Sequence, residues 1–139
     1  MNSSFSLAVH ALVYLDHRDE TLSSEELATN ICTNPATVRK TLAKLKHAGL
    51  VAAKEGAGGG YIISCKPEKV SLSEVAKALD NTFVCVSWKC GDTDQACLIS
   101  SGMGSVMDDL CEELDDLCYS HLENVTLADI SNKIFDQSN

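Results

Sequence analysis

The stretch NPATVRKTLAKLKHAGLVAAKEGAGGGY, from Asn34 to Tyr61, determines the expected fold of this chain. Val38, Leu42 and Leu45 recur at intervals of four and three residues, so a helix would place them on one apolar stripe. Most basic side chains of this segment fall outside that stripe: Arg39, Lys40, Lys44, Lys46 and His47. The pattern predicts a short helix that packs on one side and presents positive charge on the other.

The ends of this helix, and the residues after it, favour turns. Asn34 is a good N-cap before Pro35, and Gly49 suits the left-handed residue that ends a helix. Residues 50–53 and 61–63 are strand-like, and the tip between them is rich in glycine, with Gly56, Gly58, Gly59 and Gly60. A basic helix followed by a hairpin is typical of the recognition helix and wing of a winged helix-turn-helix.

The residues before this stretch predict the rest of the helix-turn-helix. Ser23 and Glu26 have the spacing of a capping box, which starts a helix that runs to about Ile31. Cys32 and Thr33 then form the turn into the basic helix, which would lie in the major groove of DNA. Further upstream, residues 4–16 are apolar on nearly every helical face and predict a buried first helix.

After the wing, the sequence predicts a fourth helix and a loop that contains cysteines. A second capping box, at Ser71 and Glu74, starts a helix that ends near Leu79. Residues 80–101 have no clear period, and within them we expect only a short strand at residues 83–86.

A long helix is expected from Gly102 to Leu122, with a narrow apolar seam along one side. The seam consists of Val106, Leu110, Leu114, Leu117 and His121 or Leu122. Acidic residues crowd the other side, namely Asp108, Asp109, Glu112, Glu113, Asp115 and Asp116. A helix with so narrow a seam needs a partner, and we expect its copy in a second subunit. A short helix at residues 126–135 would complete the chain.

The expected fold is therefore mainly α with a small β-hairpin: a winged helix-turn-helix plus a long dimerisation helix. We expect three regions, which are a DNA-binding domain at residues 1–80, a sensor loop at 81–101 and a dimerisation region at 102–139.

The charge of the chain is unevenly distributed. The net charge is −9. Residues 1–70 carry 8 basic and 7 acidic side chains (+1), whereas residues 71–139 carry 3 and 13 (−10). Five Lys or Arg and no acidic residue lie between Thr37 and Lys54. One end of the molecule can thus face the phosphates of DNA while the acidic half stays in solvent.

Neither a membrane span nor a signal peptide is expected. The apolar runs are short and interrupted by charge, and no basic segment precedes the first of them. We therefore expect a cytoplasmic protein with no membrane partner.

Two segments resemble the Rrf2 family of bacterial transcription regulators. The first is AGLVAAKEGAGGGYIIS, preceded by the helix-turn-helix and followed by VSLSEVAKAL, and the second is CLISSGMGSVMDDLCEELDDLCYSHLENVTLADI. The resemblance covers nearly the whole chain, and the wing glycines before Tyr61 are its most specific part. It implies a homodimeric winged helix-turn-helix protein that binds palindromic operators on double-stranded DNA, mostly as a repressor.

The resemblance also implies which residues contact DNA. The contacts of the recognition helix carry over onto Asn34, Ala36, Thr37, Arg39 and Lys40. With them we expect phosphate contacts from Lys44 and Lys54 and from the backbone amides of Gly58, Gly59 and Gly60. Glu55 stands where some members insert a wing arginine into the minor groove, so minor-groove binding by this wing is not expected.

Seven cysteines are many for a chain of 139 residues. Relatives hold an iron–sulfur cluster on three cysteines before the long helix, which here would be Cys85, Cys90 and Cys97. Their spacing, C-x4-C-x6-C, departs from the even pattern of those relatives, so a [2Fe–2S] cluster remains the alternative. The favoured hypothesis has no cofactor and no metal, but a thiol switch.

In that hypothesis the redox-sensing residues are Cys32, Cys97 and Cys90. Cys32 lies two residues before the recognition helix, whose positive end would favour its thiolate. A disulfide from Cys32 to a loop cysteine, with Cys97 of the second subunit favoured, would change the tilt of the recognition helices.

A third alternative is a thiol enzyme or a non-DNA interaction module. Because no catalytic triad or CxxC motif is present, we do not expect an enzyme.

Overall fold

Six α-helices and one β-hairpin follow one another along residues 2–138, the part of the chain that this computed structural model describes. The elements are α1 (Ser3–Arg18), α2 (Ser24–Ile31), α3 (Pro35–His47), β1 (Val51–Lys54), β2 (Gly60–Ile63), a 3-10 turn (Pro67–Lys69), α4 (Leu72–Ala78), α5 (Leu98–Leu122) and α6 (Leu127–Gln137). The prediction of a mainly helical fold with a small hairpin is confirmed.

Four of the predicted helix starts, those of α2, α3, α4 and α6, are present with their hydrogen bonds. The Asn34 side chain accepts from the Thr37 N–H at 2.8 Å, which caps α3. Reciprocal capping boxes open α2, α4 and α6, at Ser23, Ser71 and Thr126. These caps satisfy backbone donors that would otherwise lack partners, and they fix where each helix begins.

The core is built around α1, which packs against α2, α3, α4 and β2. On the expected stripe of α3, Val38, Leu42 and Leu45 are completely buried. Because this stripe faces α1, the opposite face of α3, with its basic residues, is turned outward.

The wing is a two-stranded antiparallel hairpin, in which Val51 pairs with Ile63 and Lys54 with Gly60. It is also fastened to the start of the helix-turn-helix. The Leu22 N–H donates to the Tyr61 carbonyl at 2.9 Å, and the Tyr61 N–H donates to the Leu22 carbonyl at 2.8 Å. The wing therefore has a fixed position beside α2.

The expected strand at residues 83–86 is wrong, because no strand forms there in the described structure. Instead, residues 83–92 form an irregular segment with several bends that runs along α5, and we call this segment the strap. The Asp115 carboxylate accepts from the N–H groups of Phe83 (2.6 Å) and Val84 (3.0 Å). Lys89 pairs with Asp108 at 2.7 Å. Asp115 thus supplies Phe83 and Val84 with the hydrogen-bond acceptor that carbonyl groups of a neighbouring strand would have supplied.

The long helix begins at Leu98 and not at Gly102, with Cys97 as its N-cap. Its seam faces solvent in the single chain: Val106, Leu110, Leu114 and Leu117 are 61, 44, 42 and 65% exposed. Leu122, at the C-terminal end of α5, instead packs against the core. No helix within residues 2–138 is long and apolar enough to cross a membrane.

Candidate nucleic-acid interface

The outer face of α3 carries cations that remain available to a partner. Lys40 and Lys44 are exposed, as is Lys54 at the end of β1. Within residues 2–138 none of these three lysines takes part in an ion pair. An ammonium group with no internal partner can neutralise a phosphate without first breaking a contact.

Arg39, the expected base-contacting residue, is held by the helix before it. Its guanidinium donates to the Ser24 hydroxyl at 3.0 Å and lies 3.5 Å from the Glu25 carboxylate. The Glu25 backbone N–H, and then the Ser24 hydroxyl, lower the pKa of the Glu25 carboxyl, so that it stays ionised and keeps attracting Arg39. Ser24 and Glu25 were not among the expected site residues, because no local sequence pattern links them to Arg39.

In the first turn of α3, the Asn34 side chain is already used to cap the helix. The Asn34 side-chain oxygen accepts from both the N–H and the hydroxyl of Thr37, at 2.8 and 2.9 Å. Asn34 therefore keeps its amide donors, but not a free acceptor, for a base. Ala36 is exposed, so its methyl group can contact a thymine methyl.

The three wing glycines differ in their surroundings. Gly58, with φ +73°, lies at the exposed tip with open space around it. The Gly59 N–H already donates to the Gly56 carbonyl at 3.0 Å. Gly60 is half-buried, and its backbone lies against that of Leu22. Of the expected phosphate-binding amides, the one at Gly58 is therefore the most accessible.

Replacing Gly60 with alanine should destabilise the protein by about 2–4 kcal/mol. An added Cβ would lie 2.2 Å from the Leu22 carbonyl oxygen, and φ at this position is +152°. Urea unfolding measures the loss. Gly58→Ala is the matched control, because its φ is also positive but the space is open; it should cost about 1–2 kcal/mol. Equal losses for the two variants would contradict the proposed fastening of the wing.

The cysteines are dispersed over the molecule. Cys32 ends α2 in a left-handed conformation, and its thiol lies 3.8 Å from the Thr29 carbonyl oxygen. The backbone N–H groups of Ser100 and Ile99, in the first turn of α5, lower the pKa of the exposed Cys97 thiol. The thiol makes no cap hydrogen bond of ordinary geometry, so this effect is one of nearby N–H dipoles.

The expected cluster ligands do not form a ligand set in this conformation. Cys85 and Cys97 are exposed, and Cys90 is half-buried against the start of α5. Across the described residues, no three Cys, His, Asp or Glu side chains are placed to hold a metal ion. The residues as arranged do not fit a cluster, which needs several thiolates around one centre.

The proteins to which this chain is similar in sequence are described as transcriptional regulators, which agrees with a DNA-binding site. The sequence model of the Rrf2 family, described as an iron-dependent transcriptional regulator, matches residues 1–133. YwnA of Bacillus subtilis (strain 168), named as an HTH-type transcriptional regulator, is 26% identical over 135 residues, which cover 97% of this chain and 99% of YwnA. An rrf2-like regulator of Rhodobacter capsulatus is 36% identical over 61 residues, or 44% of this chain and 41% of that protein.

Solved structures show the same fold. A crystal structure of a transcriptional regulator from Lactobacillus plantarum has a TM-score of 0.82 and 26% identity, covering 96% of this chain and 91% of that one. IscR of T. potens has a TM-score of 0.68 at 21% identity, covering 96% and 87%. The family model and YwnA are both described as transcriptional regulators, so the alternative of a thiol enzyme is wrong. The chain belongs to the Rrf2 family of DNA-binding transcriptional regulators.

Proposed function

We propose that the protein is a cytoplasmic homodimeric repressor that binds a palindromic operator and responds to oxidants or electrophiles through its cysteine thiols. This proposal rests on one observation, which is that a single chain presents two separate surfaces suited to different partners. The free lysines of α3 and the wing provide a face for DNA, and the exposed seam of α5 provides a face for a second copy.

The seam supports self-association. Val106, Leu110, Leu114 and Leu117 follow helical spacing and are each more than two-fifths exposed in the single chain. A second apolar surface, a groove of about 510 Å³, lies between α1 and α6, with Val9, Val13, Ile130 and Ile134 in its wall. Apolar faces of this extent on one small chain are typical of protein–protein contacts.

Two copies related by a twofold axis would present two α3 helices to DNA. Such dimers bind half-sites about one turn, or roughly 34–36 Å, apart. Footprinting on the protein's own promoter region tests the proposal. We expect reduced protein to protect a palindrome of two half-sites, and oxidised protein to protect it to a different extent. A single unpaired half-site, or no protection in either state, would contradict the proposal.

Cys97 supports the thiol response. It is exposed, and the N–H groups of Ser100 and Ile99 lower its pKa, which raises the thiolate fraction at neutral pH. Together with the exposed Cys32 and the half-buried Cys90, it is our candidate for the reacting thiol. A disulfide between Cys32 and the second subunit's copy of Cys97 would then join the DNA-binding and dimerisation parts.

Cys97 should react with iodoacetamide at pH 7 at least about tenfold faster than Cys65. Burial, and then the Asp16 carboxylate, raise the pKa of the Cys65 thiol, whereas that of Cys97 is lowered. Mass spectrometry of timed samples measures both rates within one chain, so Cys65 is the internal control. The difference should shrink as the pH rises towards the raised pKa of Cys65, because the Cys65 thiol then ionises as well. Equal rates at pH 7 would contradict the role of Cys97.

A second candidate is an iron–sulfur-dependent regulator, which the iron-dependent description of the family favours. The same three cysteines, Cys85, Cys90 and Cys97, would have to converge from the positions described above. A cluster would supply a redox-sensitive or iron-sensitive centre in the loop before α5. Anaerobically purified protein with visible absorption and bound iron would support this candidate over the thiol switch.

A further inference from the structure

Cys85 and Cys111 line one pocket, although they lie far apart in the sequence. The pocket has a volume of about 320 Å³ and lies between the strap and α5. Cys85 is exposed and Cys111 is half-buried, so solvent reaches the pair from the side of the strap. Neither Cys85 nor Cys111 is among the residues expected to contact DNA.

Two independent contacts place the strap beside the part of α5 that contains Cys111. On one side of Cys85, Asp115 accepts from the N–H groups of Phe83 and Val84. On the other side, Lys89 pairs with Asp108. The strap thus runs antiparallel to α5, with Cys85 between its two ties and Cys111 between the two aspartates. On a helix, Cys111 lies about 6 Å along the axis from Asp115 and about 4.5 Å from Asp108.

We propose that Cys85 and Cys111 form an intrachain disulfide when the protein meets a peroxide. The pair would be a modification site within the thiol response proposed above, and its regulatory role rests on that response. The bond requires the two Cα atoms to lie within roughly 4.4–6.8 Å, so the strap has to hold Cys85 at that distance from Cys111. The closed loop would then hold the strap on α5, in the connection between α4 and the dimerisation helix.

The chemistry involves two steps. The thiolate of Cys85, the more exposed of the two, attacks a peroxide oxygen; the O–O bond breaks, a sulfenic acid forms on Cys85, and the departing hydroxide or alkoxide takes a proton from solvent to become water or an alcohol. The Cys111 thiolate then attacks that sulfur; the S–O bond breaks, an S–S bond forms, and the departing hydroxide takes a proton to become water. In total, two thiols are oxidised and one peroxide is reduced.

Disulfide mapping of the full chain tests this proposal. Reduced protein is treated with a small excess of hydrogen peroxide, blocked, digested without reductant and analysed by mass spectrometry. A peptide pair that joins Cys85 to Cys111 should appear, and it should account for two of the seven thiols. Cys85→Ser and Cys111→Ser should each abolish that pair.

Matched controls lie on the same two segments. Cys90→Ser changes the strap and Cys118→Ser changes α5, and both variants should keep the Cys85–Cys111 peptide pair. Circular dichroism checks that each variant is folded. Oxidised wild type that yields no Cys85–Cys111 peptide pair, or that yields Cys85 joined mainly to another cysteine, would overturn the proposal. DNA binding by reduced protein is measured in parallel: its absence would contradict the proposed regulator and leave the disulfide standing.

Discussion

Replacing Leu110 and Leu114 with aspartate should convert the protein to a monomer and weaken operator binding by about 100-fold or more. Both side chains lie on the exposed seam of α5, one helical turn apart, at 44 and 42% exposure. Burying each leucine against a second copy would contribute about 1.5–3 kcal/mol. A carboxylate in that place would lose its hydration without gaining a partner. With one α3 per molecule, the second half-site would no longer be bound in an intramolecular step.

Sedimentation equilibrium and fluorescence anisotropy with a palindromic duplex measure these two effects. Asp116→Ala is the matched control, because Asp116 is an exposed acidic residue of the same helix that lies outside the seam. The control should remain dimeric and bind DNA as wild type does. A double variant that is still dimeric, with unchanged affinity, would show that the seam is not the subunit contact.

Arg39→Ala should weaken operator binding by about 1–3 kcal/mol per half-site and relax the base preference at one position. Arginine is suited to a bidentate contact with guanine in the major groove. In the free protein the Arg39 guanidinium is held by the Ser24 hydroxyl and lies 3.5 Å from the Glu25 carboxylate. Both partners belong to α2, so the side chain is kept beside the face that would meet DNA.

Glu25→Gln tests what the negative charge of Glu25 contributes to DNA binding and to the position of Arg39. The amide keeps the size of the side chain, but removes an anion beside the phosphates and releases Arg39 from its ion pair. We expect binding that is at least as tight as that of wild type, and an unchanged stability, because the pair is exposed. Unchanged affinity and unchanged base preference in Arg39→Ala would remove this residue from the DNA contacts.

Much of the DNA-binding half is predictable from sequence because its determinants are local. The cap at Asn34, the stripe of Val38, Leu42 and Leu45, and the glycine-rich tip each act within a few residues. Helix starts and apolar periodicity are read over one or two turns, so a single sequence carries them. The seam of α5 was predictable for the same reason.

The parts that the sequence did not reveal depend on long-range contacts or on contacts that override local propensity. The strap has no period, since Asp115 satisfies the N–H groups of Phe83 and Val84 from more than thirty residues away. The start of α5 at Leu98 was missed because Gly102 is a poor helix former, although it is tolerated inside the helix. The fixed position of Arg39 depends on Ser24, fifteen residues earlier.

The salt dependence of binding to promoter DNA tests most directly whether α3 and the wing grip the duplex. Lys40 and Lys44 of two subunits should neutralise about four phosphates, so log affinity should fall linearly with log salt with a slope of about −4 or steeper. Lys40→Ala should make the slope shallower by about two, one for each subunit. Affinity that does not fall as salt rises, or a slope unaffected by the loss of Lys40, would contradict the account.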